Sequence, residues 1–316
     1  MWNIIEQIFP YAVMYTIPLL ITGLGGLFSE RSGVVNIGLE GLMVVGAFTG
    51  ALVTSMIHSA MPYHPAAVWI GLLAAFVSGV AFSLLHAFAS INLSANQVIS
   101  GTAINMLAAA LTVFLARNIT GSGKIQTQGL RSFDVPILSD IPVIGKLLFT
   151  KTYMTTWIVL LIVLLSAFVL GKTAFGLRLK ACGEHPHAAE AAGINVRLMR
   201  YIGVMISGGL SALGGSIYIA TISGEASGSV AGLGFLALAA LIFGQWKPLG
   251  ILAATLFFGF ASTIANVSQV IPSLAVVPPI LLKVFPYVVT LIALVLFSKS
   301  SRAPKAAGEA FDSGKR

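Results

Sequence analysis

FPYAVMYTIPLLITGLGGLFSERSGVVNIGLEG, Phe9 to Gly41, decides the architecture, because a long apolar run breaks into Glu30, Arg31, Asn36 and Glu40 interspersed with Gly33, Gly38 and Gly41. Phe9–Phe28 has the length that crosses a hydrocarbon core of about 30 Å. No basic residue precedes it and no small-residue cleavage site follows, so it reads as a retained span and not as a signal peptide. Glu30 and Arg31 read as solvated residues at the inner face, whereas VVNIGLEG reads as a broken helix. Its glycines let the backbone unwind, and Asn36 and Glu40, four apart, share a face and point into the bundle.

The rest of the chain repeats the first half of this pattern. Apolar residues make up 57% of it and charged residues 9%, and the mean hydropathy is +0.95; a water-soluble fold has about 25% charged residues with which to cover itself. Apolar windows fall near 9–28, 40–60, 66–90, 97–117, 153–171, 201–222, 230–246, 249–267 and 279–298. The expected fold is an all-α polytopic bundle of roughly 8–10 spans with glycine-broken helices, over residues 1–298. Gly46 and Gly50, and the group Gly208, Gly209, Gly214 and Gly215, mark helix faces that pack closely.

Charge sets the orientation. Lys172, Arg178, Lys180, Arg197 and Arg200 lie in the segment 172–200, and Lys299, Arg302, Lys305, Lys315 and Arg316 lie in the tail 299–316. The positive-inside rule makes both cytoplasmic, and four spans separate them, as a shared side requires. Counting back leaves 118–152 and the N-terminus outside. The outer segment mixes Lys124, Arg131, Lys146 and Lys151 with Asp134 and Asp140 and reads as a partly ordered cap on which a partner could rest. The net charge of +8 is dispersed between apolar runs, with no aromatic-basic platform, which argues against nucleic acid.

Catalytic equipment is sparse. The nearest approach to a phosphate-binding loop, SAFVLGKT at 166–173, lacks the first glycine and ends a span, so ATP must be bound by another chain. No cofactor is expected on this one. Asp134, Asp140 and Asp312 fall outside the spans, which removes an aspartyl protease. His86 near Ser83 leaves an intramembrane hydrolase open, although a core histidine is the plainer reading. Glu40, Glu225 and Lys283 are the charged groups nearest membrane depth, little equipment for an ion-coupled carrier, which also stays open. Cys182, the single cysteine, reads as inert, and His58 with His64 lacks a third metal ligand.

In Phe175–Tyr201, Pro186 suits a first helical turn, alanines follow it, and Gly193 stops the helix. Two turns are marginal in water, so this helix, carrying Glu184 and Glu190, should seat in a partner's groove. Its sequence GEHPHAAEAAGINV resembles the coupling motif, GEN-x-x-AA-x-x-AGI, of ABC importer permeases serving branched-chain amino acids, monosaccharides and nucleosides. ERSGVVNIGLEGLMVVGAF at 30–48 and SGSVAGLGFLALAALIFGQWKPLGILAATLFFG at 227–259 resemble two further blocks of that family, the first in the wording of the shorter of two paired nucleoside permeases. His185 replaces a frequent asparagine. The resemblance implies a bacterial inner-membrane subunit working by alternating access. It implies a second, different permease, cytoplasmic ATPases holding ATP and Mg²⁺, and an extracytoplasmic binding lipoprotein. It also implies that Gly183, Glu184, His185, Ala188, Ala189, Glu190 and Gly193 form the ATPase contact.

Asn36, Glu40, Asn96, Gln97, Asn105 and Asn266 are the polar residues expected along a solute route, with amide bonding between helices the competing role. The blocks at 36–48 and 231–244 share a glycine turn leading into an apolar helix; if they are related, both turns face one central site.

Overall fold

The computed structural model describes residues 2–267 and 303–312, with Pro278, Ile280, Leu281, Val284, Phe285 and Val288 between them. The ninth apolar window and Lys283 therefore lie largely outside the described residues. Ten α-helices account for most of what is described: α1 Trp2–Arg31, α2 Leu39–Ala60, α3 Ala67–Ala87, α4 Gln97–Thr120, α5 Met154–Lys172, α6 Ala174–Glu184, α7 Pro186–Ala191, α8 Val196–Tyr218, α9 Leu233–Phe243 and α10 Pro248–Val267. Single π-turns extend α3 to Asn92 and α8 to Ser223. Among the described residues, seven helices are long and apolar enough to cross a membrane.

The window at 230–246 is not a spanning helix. It yields α9, of 11 residues, about 16 Å long at 1.5 Å per residue and so half a membrane. Gly232 at φ +78 and Ala231 at φ +57 hold its start in a left-handed turn that no helix continues through. The remaining depth is crossed by non-helical chain from Gly224, so the chain still changes sides here; the ninth window, the last of the four spans counted between the basic segments, lies largely outside the described residues.

α1 and α8 are the most enclosed spans, while α4 is the most exposed. Small residues let α8 reach the centre: a Cβ on Gly46 of α2 would collide with the Ala212 backbone, and one on Gly215 with the Met43 carbonyl. The expected close packing at these glycines is what they provide.

The bundle has two ends. At one, Glu6 pairs with Lys146 at 3.3 Å, and a short ladder joins β1 Ile125–Gln126 to β2 Glu225–Ala226. Asp134 accepts from the Lys151 amide, Phe133 bridges Thr152, and Phe149 stacks on Trp157, so the segment 118–152 is an ordered cap. Glu225 belongs to this end, paired with Lys124 at 2.7 Å, and not to membrane depth. At the other end lie Arg31, the α3–α4 turn, α6, α7, the α9–α10 turn and residues 303–312. Residues 303–312, which carry Lys305 of the basic tail, thus lie at one end with the basic segment 172–200.

Candidate translocation site

Two interruptions of the helical ladder meet inside the bundle. The first follows α1, which stops in a Schellman motif: Val34 N–H donates to Ser29 O and Gly33 N–H to Glu30 O, with Gly33 at φ +95. Residues 32–38 then run without helix, and such buried backbone needs partners. Side chains from other helices supply them. Val35 N–H donates to Gln97 Oε1 at 2.7 Å, and the Val35 carbonyl lies 3.1 Å from His86 Nε2. Asn105 works on both sides of the break, accepting from Gly41 N–H at 2.7 Å and donating to the Ile37 carbonyl at 3.0 Å. Asn36, 1% exposed, accepts from Gly38 N–H and donates to Ser207 Oγ on α8. Asn105 stands eight residues above Gln97 on α4, so the broken chain climbs about 12 Å along that helix.

The second interruption is the start of α9, and Glu40 joins it to the first. Its carboxylate accepts from Gly232 N–H at 2.9 Å and Gly234 N–H at 2.6 Å. These are among the donors a helix start leaves without intrahelical partners, and the helix dipole favours negative charge there. A Cβ on Gly234 would strike the Glu40 backbone, so glycine is what allows the approach. The two glycine turns do face one another, across this carboxylate.

Of the six expected route residues, the structure brings Asn36, Glu40, Gln97 and Asn105 together. Gln97 Nε2 is buried there with no partner among the described residues. Asn96 is exposed and caps α4, accepting from Val98 and Ile99 N–H, and Asn266 is exposed near the far end of α10. The shared face of Asn36 and Glu40 does not form, since residue 36 is not helical: Asn36 turns to α8 and Glu40 to α9.

Below the break, Glu30 and Arg31 depart from the reading as solvated loop residues. Glu30 is 5% exposed and accepts from the Trp246 indole N–H at 2.5 Å. Arg31 donates through Nε and Nη2 to the Trp246 carbonyl at 3.2 and 2.8 Å. Trp246 and Gln245 sit at φ +51 and +52, the turn that reverses α9 into α10. Trp246 was legible only as part of GQWKPLG, with nothing in its spacing to announce Glu30 as its partner.

Arg31 also reaches Glu184 at 3.8 Å. Glu184 ends α6, so it is not on the short rod; α7 carries Ala188, Ala189 and Glu190, begins at Pro186 as expected and ends in a second Schellman motif at Gly193, φ +80. Gly183 packs on the Arg31 carbonyl, and His185 is the kink between α6 and α7, φ −145. Ala189 is buried while Glu190 is exposed. Burial pushes the Cys182 thiol up, in keeping with an inert residue. His86, wholly buried, has its ring nitrogens against Ser100 Oγ and the Val35 carbonyl, while Ser83 bonds its own helix at Val80. The Ser83–His86 pair that a hydrolase would use is not made.

Residues 8–294 match the family described as branched-chain amino acid transport system / permease component. The chain belongs to that permease family. Among its members, a guanosine ABC transporter permease protein of Bacillus subtilis is 46% identical, over 99% of each chain. A nucleoside ABC transporter permease protein of Lactococcus lactis is 42% identical, over 97% of this chain and 96% of that one. A solved ABC transporter in an inward-facing conformation superposes with a TM-score of 0.51 at 17% identity, covering 92% of this chain and 85% of the other, a likeness of fold alone. The permease fold and the multi-pass membrane location follow from the family and from the seven long apolar helices.

Proposed function

We propose that this permease is one membrane subunit of an ATP-driven ABC importer for nucleosides in a bacterial cytoplasmic membrane. Likeness to a guanosine permease over 99% of both chains is the observation that carries the solute class. The end bearing α6, α7 and residues 303–312 faces the cytoplasm, a reading supported by the basic residues of the segment 172–200. There α7, with Gly183 to Gly193, docks on the ATPase, which binds ATP and Mg²⁺; this chain does not hydrolyse ATP. A second permease covers part of the exposed apolar face of α3, α4 and α5, and a binding lipoprotein docks on the ordered cap at the other end.

The solute passes where Asn36, Glu40, Gln97 and Asn105 converge. In this conformation the side-chain oxygens of all four are engaged by backbone N–H groups. Opening a route means exchanging those bonds for bonds to the solute, whose ribose and base offer donors and acceptors. Such an exchange costs little, whereas a buried polar group left unpaired costs about 1–3 kcal/mol. ATP binding shifts the equilibrium between the two states through α7, whose contact differs between them.

Uptake of radiolabelled guanosine by cells expressing the chain with its ATPase, second permease and lipoprotein tests this reading. Uptake is expected to vanish with an ATPase unable to hydrolyse ATP and to survive an ionophore at constant ATP. Uptake that ignores the ATPase, or that collapses with the ionophore, overturns it in favour of an ion-coupled carrier.

A further inference from the structure

Residues 303–312 lie on the membrane domain by contacts that nothing in their sequence announces. Ala306 N–H donates to the Gly183 carbonyl at 2.9 Å, and Gly308 N–H donates to the Gly33 carbonyl at 3.2 Å. Those two carbonyls belong to the last turn of α6, two residues before the kink at His185, and to the Schellman glycine of the first break. Ala306 and Phe311 are 4% and 6% exposed. The Phe311 ring packs on His187 of α7, centroids 5.2 Å apart, and beneath it lies the Arg200 guanidinium, 5.7 Å from its centroid.

Arg200 is the reason this packing matters. It is 1% exposed, and a buried guanidinium without partners is costly. Its Nη1 donates to the Glu309 carbonyl at 2.9 Å, while Nε and Nη2 have no hydrogen-bond partner among the described residues. Nη2 lies against Gly33, where a Cβ would come within 2.8 Å. The segment thus supplies the hydrogen-bond acceptor and the aromatic face that let a charge stay buried between the break and α8.

We infer that residues 303–312 form a strap that fixes α7 to the first break, with Phe311 and Arg200 as positioning residues that make movement of the coupling helix reach Gly33 and the chain beyond it. This rests on the reading of α7 as the ATPase contact. The strap tethers α6 through Gly183, α7 through His187, α8 through Arg200 and the break through Gly33, all of them far from the strap itself in sequence. Without it α7 keeps its own caps at Pro186 and Gly193 and can still seat in the ATPase, but its tie to the break is reduced to the contacts of Gly183 and Glu184 with Arg31.

The test uses the assembled transporter in proteoliposomes and measures nucleoside moved per ATP hydrolysed, together with the amount of ATPase that co-purifies. The variants are a chain ending at Arg302, Phe311→Ala and Phe311→Trp. The first two are expected to retain co-purifying ATPase and hydrolysis while the ratio of transport to hydrolysis falls about fivefold or more, the lower range of typical coupling between sites. Phe311→Trp, which keeps an aromatic face over Arg200, is expected to stay near the parent. An unchanged ratio in both Phe311→Ala and the shortened chain overturns the strap. So does parallel loss of ATPase and transport in both, which reduces the segment to a folding support of α7. Failure of the parent transporter to couple uptake to ATP would instead strike the reading of α7.

Discussion

The two breaks that meet at Glu40 are built differently. The first, residues 32–38, is held by amide and imidazole side chains from α3 and α4 and by a hydroxyl from α8. The second, the start of α9, is held at Gly232 and Gly234 by one carboxylate, that of Glu40 in the first turn of α2, directly after the first break. One is fastened to the scaffold and the other to its neighbour. The first break can therefore loosen while Glu40 stays in place on α2, and α9 can be released by moving Glu40 alone. In a bundle packed through close glycine contacts, this makes α9 the readier of the two to move.

Glu40→Leu should break this arrangement most severely. It strands two buried N–H groups, about 1–3 kcal/mol each, and removes the negative charge from a helix start. Guanosine uptake should be lost although the chain still reaches the membrane. Glu40→Gln keeps one acceptor oxygen and should retain part of the activity. If Glu40→Leu transports normally, α9 is held by something other than its neighbour and the asymmetry between the breaks is false.

Asn105→Leu should cost less. It orphans Gly41 N–H and the Ile37 carbonyl, and under-satisfied carbonyls are tolerated better than orphaned N–H groups. Gln97, Asn36 and His86 still fasten the segment around them. The expected result is uptake reduced to a fraction of the parent, with a solvent-accessibility change in 35–41 visible by hydrogen exchange and none in 233–243. Protection lost equally in both segments would mean that the two breaks open as one unit.

The sequence made this fold legible where a span carries a full apolar window, and it marked the coupling segment by Pro186, its alanines and Gly193. It marked Asn36, Glu40, Gln97 and Asn105 as costly polar residues in an apolar setting, which is a sound physical warning. It misread α9 because eleven apolar residues flanked by small ones have the hydropathy of a longer helix; only the left-handed turn at Ala231 and Gly232 shows where the helix begins. Glu30 and Arg31 were read by charge as solvated residues at the inner face, and Arg200 was read only as one of the basic residues that set the orientation. Their burial depends on Trp246 and on Phe311, each more than a hundred residues away from its partner, and no local pattern encodes such a contact. Asn96 differs, because its short side chain before an apolar run is a local capping signature that could have been used.

The smallest effect concerns the joint between the coupling segment and α9. Arg31 makes two hydrogen bonds to the Trp246 carbonyl but only a long contact with Glu184, whose side chain is 39% exposed. A half-solvated pair at 3.8 Å contributes little, whereas a guanidinium fork on one carbonyl holds direction as well as charge. Arg31→Lys, able to keep one of the two bonds, should lower uptake a few-fold, and Glu184→Gln should lower it less. If Glu184→Gln proves the more damaging of the two, the ion pair joins the coupling segment to the membrane domain. The Trp246 carbonyl would then only complete the turn between α9 and α10, and the motion of α7 would reach Glu40 through the first break rather than through the second.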